Sequence, residues 1–434
     1  MGIRRRAQQR DRFPEATHST DPRIRTAPQG WWGYLRSLGP GLVSGAADTD
    51  PTTVATLAII GAGTVYGLGW LTLLLFPMIA IVQVISTHVG VAGRRDLQTA
   101  VAHRFGQIPR WLLLISIMAV NIVTIGADLE GGAAAVGLLT NLDWRWFVLP
   151  LSLILLAVLM LGHYHQVERA LKYLLLCLLA YAAAAVFAHP DWGAVASGSF
   201  IPHFEWNSEY GADALSLLGT TLTSYVYVWQ TIAQAEHRPS WDRLRASKID
   251  AIVGSFFAVA VFWFILVATG ATLGVHHLHA DTAAEAAQAL RPVAGPFSGA
   301  LFAVGLLASA VVALPVLMAT TAYVTGAQMQ WRRGLSLKVR EAPLFYGALA
   351  TAAAVGTAVA FSGISPIRLL FIAGIIAGVA TPVGLVLLLA VAGNHALMNE
   401  RPVRRAVLIA GWIVTILITV LSLGYIVQQL MSGP

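Results

Sequence analysis

The stretch Ser44-Gly45-Ala46-Ala47-Asp48-Thr49-Asp50-Pro51-Thr52-Thr53 sets two carboxylates and a run of threonines around a proline, inside an apolar segment running from about Gly39 to Tyr66. A charged side chain at bilayer depth costs at least ~2.5–3.5 kcal/mol, so an acid there has a task by default. Pro51 removes a backbone donor and disfavours helix at Asp50. Freed carbonyls and a carboxylate then meet at one point, the recipe for a cation site in a discontinuous transmembrane helix. The alternative is a plain kink with a polar pair turned towards the bundle.

Hydroxyls cluster again in Leu217-Leu218-Gly219-Thr220-Thr221-Leu222-Thr223-Ser224-Tyr225, in the middle of the sixth apolar span. In a five-plus-five inverted arrangement the sixth span corresponds to the first. Such hydroxyls expose or back-bond a helix carbonyl; they also serve simply as glue between close helices. In the third span Asn121, Thr124 and Asp128 share one helix face, and Glu130 lies about 200° round the wheel from Asp128. That stripe suits a water or proton path, or a single neutral acid bonded across helices. His163 and His165 fall on different helix faces, and His276, His277 and His279 beside Asp281 read as a solvated external loop. Cys177, between leucines, reads as an inert buried thiol. The chain has no phosphate-binding Gly-x-x-x-x-Gly-Lys-Ser/Thr loop, which argues against ATP-driven transport.

The elements that must position these residues are membrane spans. Of 434 residues, 57% are hydrophobic and 11% charged, less than half the charged fraction of a soluble domain, roughly 25%. Apolar runs of spanning length cover about 39–66, 68–92, 110–140, 146–163, 168–188, 211–235, 247–274, 296–328, 343–361, 366–392 and 405–430. With the N-terminus inside, every Lys and Arg except Arg145, Arg291 and Arg368 falls on the cytoplasmic side. The positive-inside rule therefore expects a multi-pass protein of the cell's inner (plasma) membrane, N-terminus cytoplasmic and C-terminus outside. The net charge of +7 belongs to those loops facing anionic lipid and not to nucleic-acid binding. Residues 1–30 are expected as a disordered basic cytoplasmic tail. The outer segment from His189 to Tyr210 is acidic and aromatic, read either as a cation-attracting vestibule or as an interfacial belt. An enzyme would want a dense set of acids or histidines at one depth; only Asp48, Asp50, Asp128 and Glu130 lie clearly inside spans.

Nearly the whole hydrophobic chain resembles the Nramp family of divalent metal transporters, as a divergent bacterial branch. The resemblance runs from Gly39-Pro40-Gly41 and the Asp50-Pro51 break, through Gly126-Ala127-Asp128-Leu129 and Gly219-Thr220-Thr221, to Gly363-Ile364-Ser365-Pro366 and Thr381-Pro382. It implies an all-α polytopic membrane protein of about eleven transmembrane helices, a LeuT-type 5+5 inverted repeat with helices 1 and 6 broken. Residues 31–434 then form the transporter domain, with helices 1–5 over about 39–188, helices 6–10 over about 211–392 and helix 11 over about 405–430.

The family's first-helix Asp-Pro-Gly-Asn motif falls on Asp50, Pro51, Thr52 and Thr53, and a carbonyl ligand three residues before the Asp falls on Ala47. Its sixth-helix Met-Pro-His motif falls on Thr223, Ser224 and Tyr225, with a carbonyl ligand on Thr220. The third-helix Asp linked to proton movement falls on Asp128; the Glu three residues on is Gly131, with Glu130 adjacent. The metal set implied is Asp50, Thr53, Thr223, Ala47 and Thr220, and the proton or gating path Asp128, Glu130, Asp48 and Tyr225. Loss of the thioether leaves hard oxygen ligands, which fit Mg²⁺ or Mn²⁺ and weaken the preference for soft metals. Loss of the imidazole and of the glutamate weakens the case for proton coupling. The expectation is a secondary transporter of divalent cations working by alternating access. It is not an enzyme and has no cofactor: the metal is cargo, and the partners are the ion and the lipid bilayer, with a monomer sufficient. The alternative is a LeuT-fold transporter of a small organic solute, or a Na⁺-coupled symporter.

Overall fold

The computed structural model describes residues 45, 47–161, 181–205, 207–237, 241–278, 280, 283–290, 295 and 298–432. The tail over 1–30 lies outside them, as do Cys177, His163, His165, His279, Asp281 and the 168–180 part of the expected fifth span. The described chain falls within one packed unit, Leu38–Pro434.

Its principal helices are α1 (Pro51–Thr64), α2 (Gly69–Gly93), α3 (Leu97–Arg104), α4 (Gln107–Thr140), α5 (Arg145–Leu161), α6 (Trp192–Phe200) and α7 (Ser208–Thr221). They continue as α8 (Ser224–His237), α9 (Leu244–Thr272), α10 (Ser298–Met329), α11 (Pro343–Ala360), α12 (Pro366–Ala392) and α13 (Arg405–Ser432). Among the described residues seven helices are long and apolar enough to cross a membrane, namely α2, α4 and α9 to α13. The helices α1 and α5 are apolar but shorter. Two short helices, α3 and α6, were not expected from hydropathy, because neither is long enough to give an apolar run of spanning length.

Two interruptions organise the bundle. The first precedes α1. Gly45 and Ala47 are helical, Asp48 and Thr49 turn, and Asp50 is extended at φ −78°, ψ 169°. Pro51 then starts α1 at the position where its missing N–H costs nothing. The second separates α7 from α8. The α7 ladder ends with Leu222 N–H donating to Leu218 O (2.9 Å), and the next turn is closed by Val226 N–H on Thr223 O (3.3 Å). This break contains no proline. Thr221 Oγ1 instead donates back to Leu217 O at 2.7 Å, the local competition by which hydroxyl side chains loosen a helix.

Close backbone contacts lock the two interrupted segments to their neighbours. A Cβ on Gly45 would fall 2.3 Å from Gly254 O of α9. A Cβ on Gly219 would lie 2.0 Å from Gly374 O and 2.2 Å from Gly378 N of α12. Small residues let helix backbones meet where lipid gives no hydrophobic drive to association. The long helix α4 packs along α10, α12, α11 and α5 and forms the wall facing α1.

Polar straps close both ends. At one end Arg333 pairs with Asp96 (3.0 Å), Gln98 and Arg110 both donate to Gln328 Oε1 (2.7 and 2.8 Å), and Tyr323 donates to Glu236 (2.5 Å). At the other, α6 lies over the α1–α2 turn, Trp263 Nε1 donates to Ser199 Oγ (2.9 Å), and Tyr210 donates to His203 O. Two acids of the outer segment are occupied locally. Asp191 caps α6 through Gly193 N (2.8 Å), and Glu205 accepts from Asn207 Nδ2 (2.9 Å).

Gly219→Ala is therefore expected to destabilise the protein by about 1–3 kcal/mol, the cost of overpacking against backbone. Gly63→Ala, where a Cβ meets nothing within 4 Å, should be neutral or better. Thermal unfolding of the two variants in detergent checks the contrast.

Candidate metal site

The N-terminus of α1 is held by two carboxylates. Asp50 Oδ1 accepts from Thr53 N at 2.7 Å, the N-cap bond that its position predicts. Asp128 Oδ1, reaching over from α4, accepts from Thr52 N (3.2 Å) and Thr52 Oγ1 (2.8 Å). Both acids thus sit where the helix dipole favours negative charge. Thr53 Oγ1 donates to Asp48 O at 3.0 Å and meets Thr220 Oγ1 of α7 in a short contact.

The second interruption faces the first. Tyr225, in the first turn of α8, places its hydroxyl 2.7 Å from Ala47 O and 2.9 Å from Asp50 Oδ2. Thr56 Oγ1 and Ser216 Oγ approach to 3.3 Å one turn further along. So Ala47, Asp50, Thr53, Thr220 and Tyr225 come together directly. Thr223 lies inside the second break with its hydroxyl buried and unpartnered, as is that of Ser224. All nine candidate residues are at most 2% exposed. The site is occluded, with none of the nine open to solvent.

The remaining acids differ in what they touch. Both carboxylate oxygens of Asp48 are buried without a partner, as are Asp128 Oδ2 and both oxygens of Glu130. Glu130 bonds to none of the other eight candidate residues; the cation whose field reaches it is Arg145 at the start of α5. Asn121 of the same helix donates to Thr321 Oγ1 at 2.9 Å. A Cβ on Gly131 would stand 3.2 Å from Pro51 Cβ, so the backbone of α4 is pressed against α1 at this point.

Three hydroxyl residues were given no role by sequence reasoning, although Thr381 was noted in the Thr381-Pro382 resemblance. Ser309 of α10 donates to Thr49 O, Thr381 of α12 to Leu222 O (3.3 Å), and Ser216 to Phe371 O (3.1 Å). The first two satisfy carbonyls freed by the interruptions. For Ser309 the only sequence signal was a hydroxyl in an apolar helix, which most often bonds its own preceding turn; Thr381 had the adjoining Pro382 as well. Chemically the arrangement is a buried group of carboxylate, hydroxyl and carbonyl oxygens with no sulfur or imidazole in it. Oxygen sets of this kind suit hard cations. Among the described residues no group of three or more His, Cys, Asp or Glu side chains is placed to hold a metal, so a metal would depend on neutral oxygens as well.

Apolar helices, two mid-bundle interruptions and a buried polar group between them define a polytopic α-helical membrane protein with a LeuT-like transporter fold. In agreement, the chain superposes on the transporter Mhp1 of the nucleobase-cation-symport-1 family with a TM-score of 0.58 at 13% identity, covering 90% of this chain and 93% of that one. A crystal structure of the Eremococcus coleocola manganese transporter gives a TM-score of 0.71 at 20% identity, over 91% of this chain and 87% of that one. The family model described as natural resistance-associated macrophage protein-like matches residues 41–428, and the chain belongs to the Nramp family. Relatives include the divalent metal cation transporters MntH of Deinococcus radiodurans (28% identical; 94% of this chain, 92% of the relative) and Ralstonia nicotianae (28%; 93% of each).

Unpartnered and partnered acids should respond differently to neutralisation. Asp128→Ala strips Thr52 of an acceptor for two donors and is expected to cost about 1–3 kcal/mol. Asp48→Asn removes a buried carboxylate with no partner and should leave the metal-free protein as stable or more so. Melting curves in metal-free detergent buffer compare them.

Proposed function

We propose that this protein carries divalent metal cations across the membrane by alternating access, as a secondary transporter. The observation that carries the reading is the contact between the two helix interruptions: Tyr225 and Thr220 on one side, Ala47, Asp50 and Thr53 on the other. Family membership supports it, as do the MntH relatives, which are divalent metal cation transporters.

In this reading Asp50 supplies the formal charge, and Thr53 and Thr223 supply hydroxyls. Ala47 and Thr220 supply carbonyls left over where the helices stop. The set is hard, and Mg²⁺ or Mn²⁺ are the cargo it suits best; Mg²⁺ sheds water reluctantly and would keep part of its shell. The broken elements before α1 and between α7 and α8 are helices 1 and 6 of a 5+5 inverted repeat of about eleven spans. The N-terminus, with its 1–30 tail, lies in the cytoplasm and the C-terminus outside. Asp128 anchors the start of α1, so movement of α1 relative to α4 changes the field at the ion. Asp48 and Glu130 lie along the path without a part in the first coordination sphere. No proton step is included, because Tyr225 and Gly131 stand where the family has His and Glu.

Reconstituted vesicles test the reading with a panel of Mg²⁺, Mn²⁺, Ca²⁺ and Cd²⁺ while internal pH is recorded. Saturable uptake of Mg²⁺ or Mn²⁺ is expected, with Asp50→Ala reducing it by about a hundredfold or more, as for an uncompensated loss at a charged site. Asp50→Ala transporting every ion like the wild type would refute the site. Saturable binding heat with an organic cation alone would instead favour an organic substrate. Thr223→Met restores a soft ligand and should raise Cd²⁺ uptake relative to Mg²⁺.

A further inference from the structure

We propose that Tyr225 acts as a positioning residue that stands in for the cation when the site is empty. Its phenol ties together two of the oxygens the ion would take, and the ion displaces it. The inference rests on the metal-transport reading above and deepens it.

Two atoms assigned to the ion, Ala47 O and Asp50 Oδ2, both point at one hydroxyl, at 2.7 and 2.9 Å. A phenol has a single proton to donate, so one O–H serves two acceptors and neither is fully satisfied. A divalent ion attracts both at once. The contact is also selective within its own segment. Thr223 Oγ1, Ser224 Oγ and Tyr227 OH, the other hydroxyls of that stretch, are buried without partners. Only Tyr225 among these four crosses to the segment preceding α1. Its ring is fully buried, so the phenol parts from the acceptors when α8 and the segment before α1 move relative to one another.

A carrier that delivers net cargo must return empty. In that state a carboxylate and a bare carbonyl lie buried together without a cation, a costly combination. The Tyr225 hydroxyl offsets that cost in the empty occluded form alone. Loaded translocation does not need it, since the ion then bridges the same two atoms.

The test separates the two halves of the cycle. Wild type and Tyr225→Phe are reconstituted, and Mn²⁺ net uptake into metal-free vesicles is compared with exchange into Mn²⁺-loaded vesicles. Tyr225→Phe should lower net uptake by about tenfold to a hundredfold, the range for a lost hydrogen bond to a charged group. Exchange should stay within about threefold of wild type, since an interaction absent from the loaded state does not alter it. Tyr227→Phe should change neither. Equal losses in uptake and exchange, or no loss in either, would overturn the proposal while leaving metal transport intact. A wild type that exchanges neither Mn²⁺ nor Mg²⁺ would overturn both. If Tyr225→Phe does not fold, infrared difference spectra of wild type with ring-deuterated tyrosine decide. Mn²⁺ addition should shift a tyrosine C–O band, and an unshifted band would overturn the proposal.

Discussion

An interrupted helix inside a bilayer must have its loose backbone groups met by protein, because lipid offers them no partner. Here the partners come from around the bundle. Asp128 of α4 takes Thr52 N, Ser309 of α10 serves Thr49 O, Tyr225 of α8 serves Ala47 O, and Thr381 of α12 serves Leu222 O. Each of these side chains is buried, and each stops one group from being orphaned. The segment entering α1 is therefore held by directional bonds to α4, α8 and α10, and the end of α7 by one to α12. The same bonds bring several negative and neutral oxygens within reach of one another.

Around that polar centre the packing is close and nearly featureless. Glycines at Gly45, Gly219, Gly374 and Gly378 bring backbone against backbone, and the straps at both ends join α3, α4, α8 and α10 on one side and α6 and α9 on the other. The result is an occluded arrangement, with polar groups in the middle and closures above and below. In the transport reading, opening either end means releasing a defined set of bonds: Arg333–Asp96 and Tyr323–Glu236 at one, Trp263–Ser199 at the other.

Much of this was legible in the sequence, for identifiable reasons. Long apolar runs mark spans such as 366–392 to the residue, since hydropathy follows directly from what lipid tolerates. The interruption at Asp50 announces itself through Pro51. The one between α7 and α8 does not, because no proline is present; it could be found only by asking what mirrors the first span. The bonds made by Ser309 and Thr381 were not legible, for a hydroxyl in an apolar helix looks the same whether it bonds its own turn or a neighbour's carbonyl. The bond between Asp128 and Thr52 joins positions far apart in sequence, which no local pattern encodes. Helix α6 was hidden because it is too short to give an apolar run of spanning length, and Asp191, counted among the acids of the outer segment, caps it.

The seam between α7 and α12 is made of Gly219 on one helix and Gly374 and Gly378 on the other. Side chains at a helix interface act as bearings: they rotate, and so allow neighbouring helices to slide. At Gly219 there is no such bearing, and the side chains beside it, Leu215 and Ser216, are themselves pressed onto Gly378 and Gly374. In the transport reading, sliding one helix past the other would drive backbone into backbone at Gly219, so α7 and α12 move together and shear is left to the segment beyond Leu222.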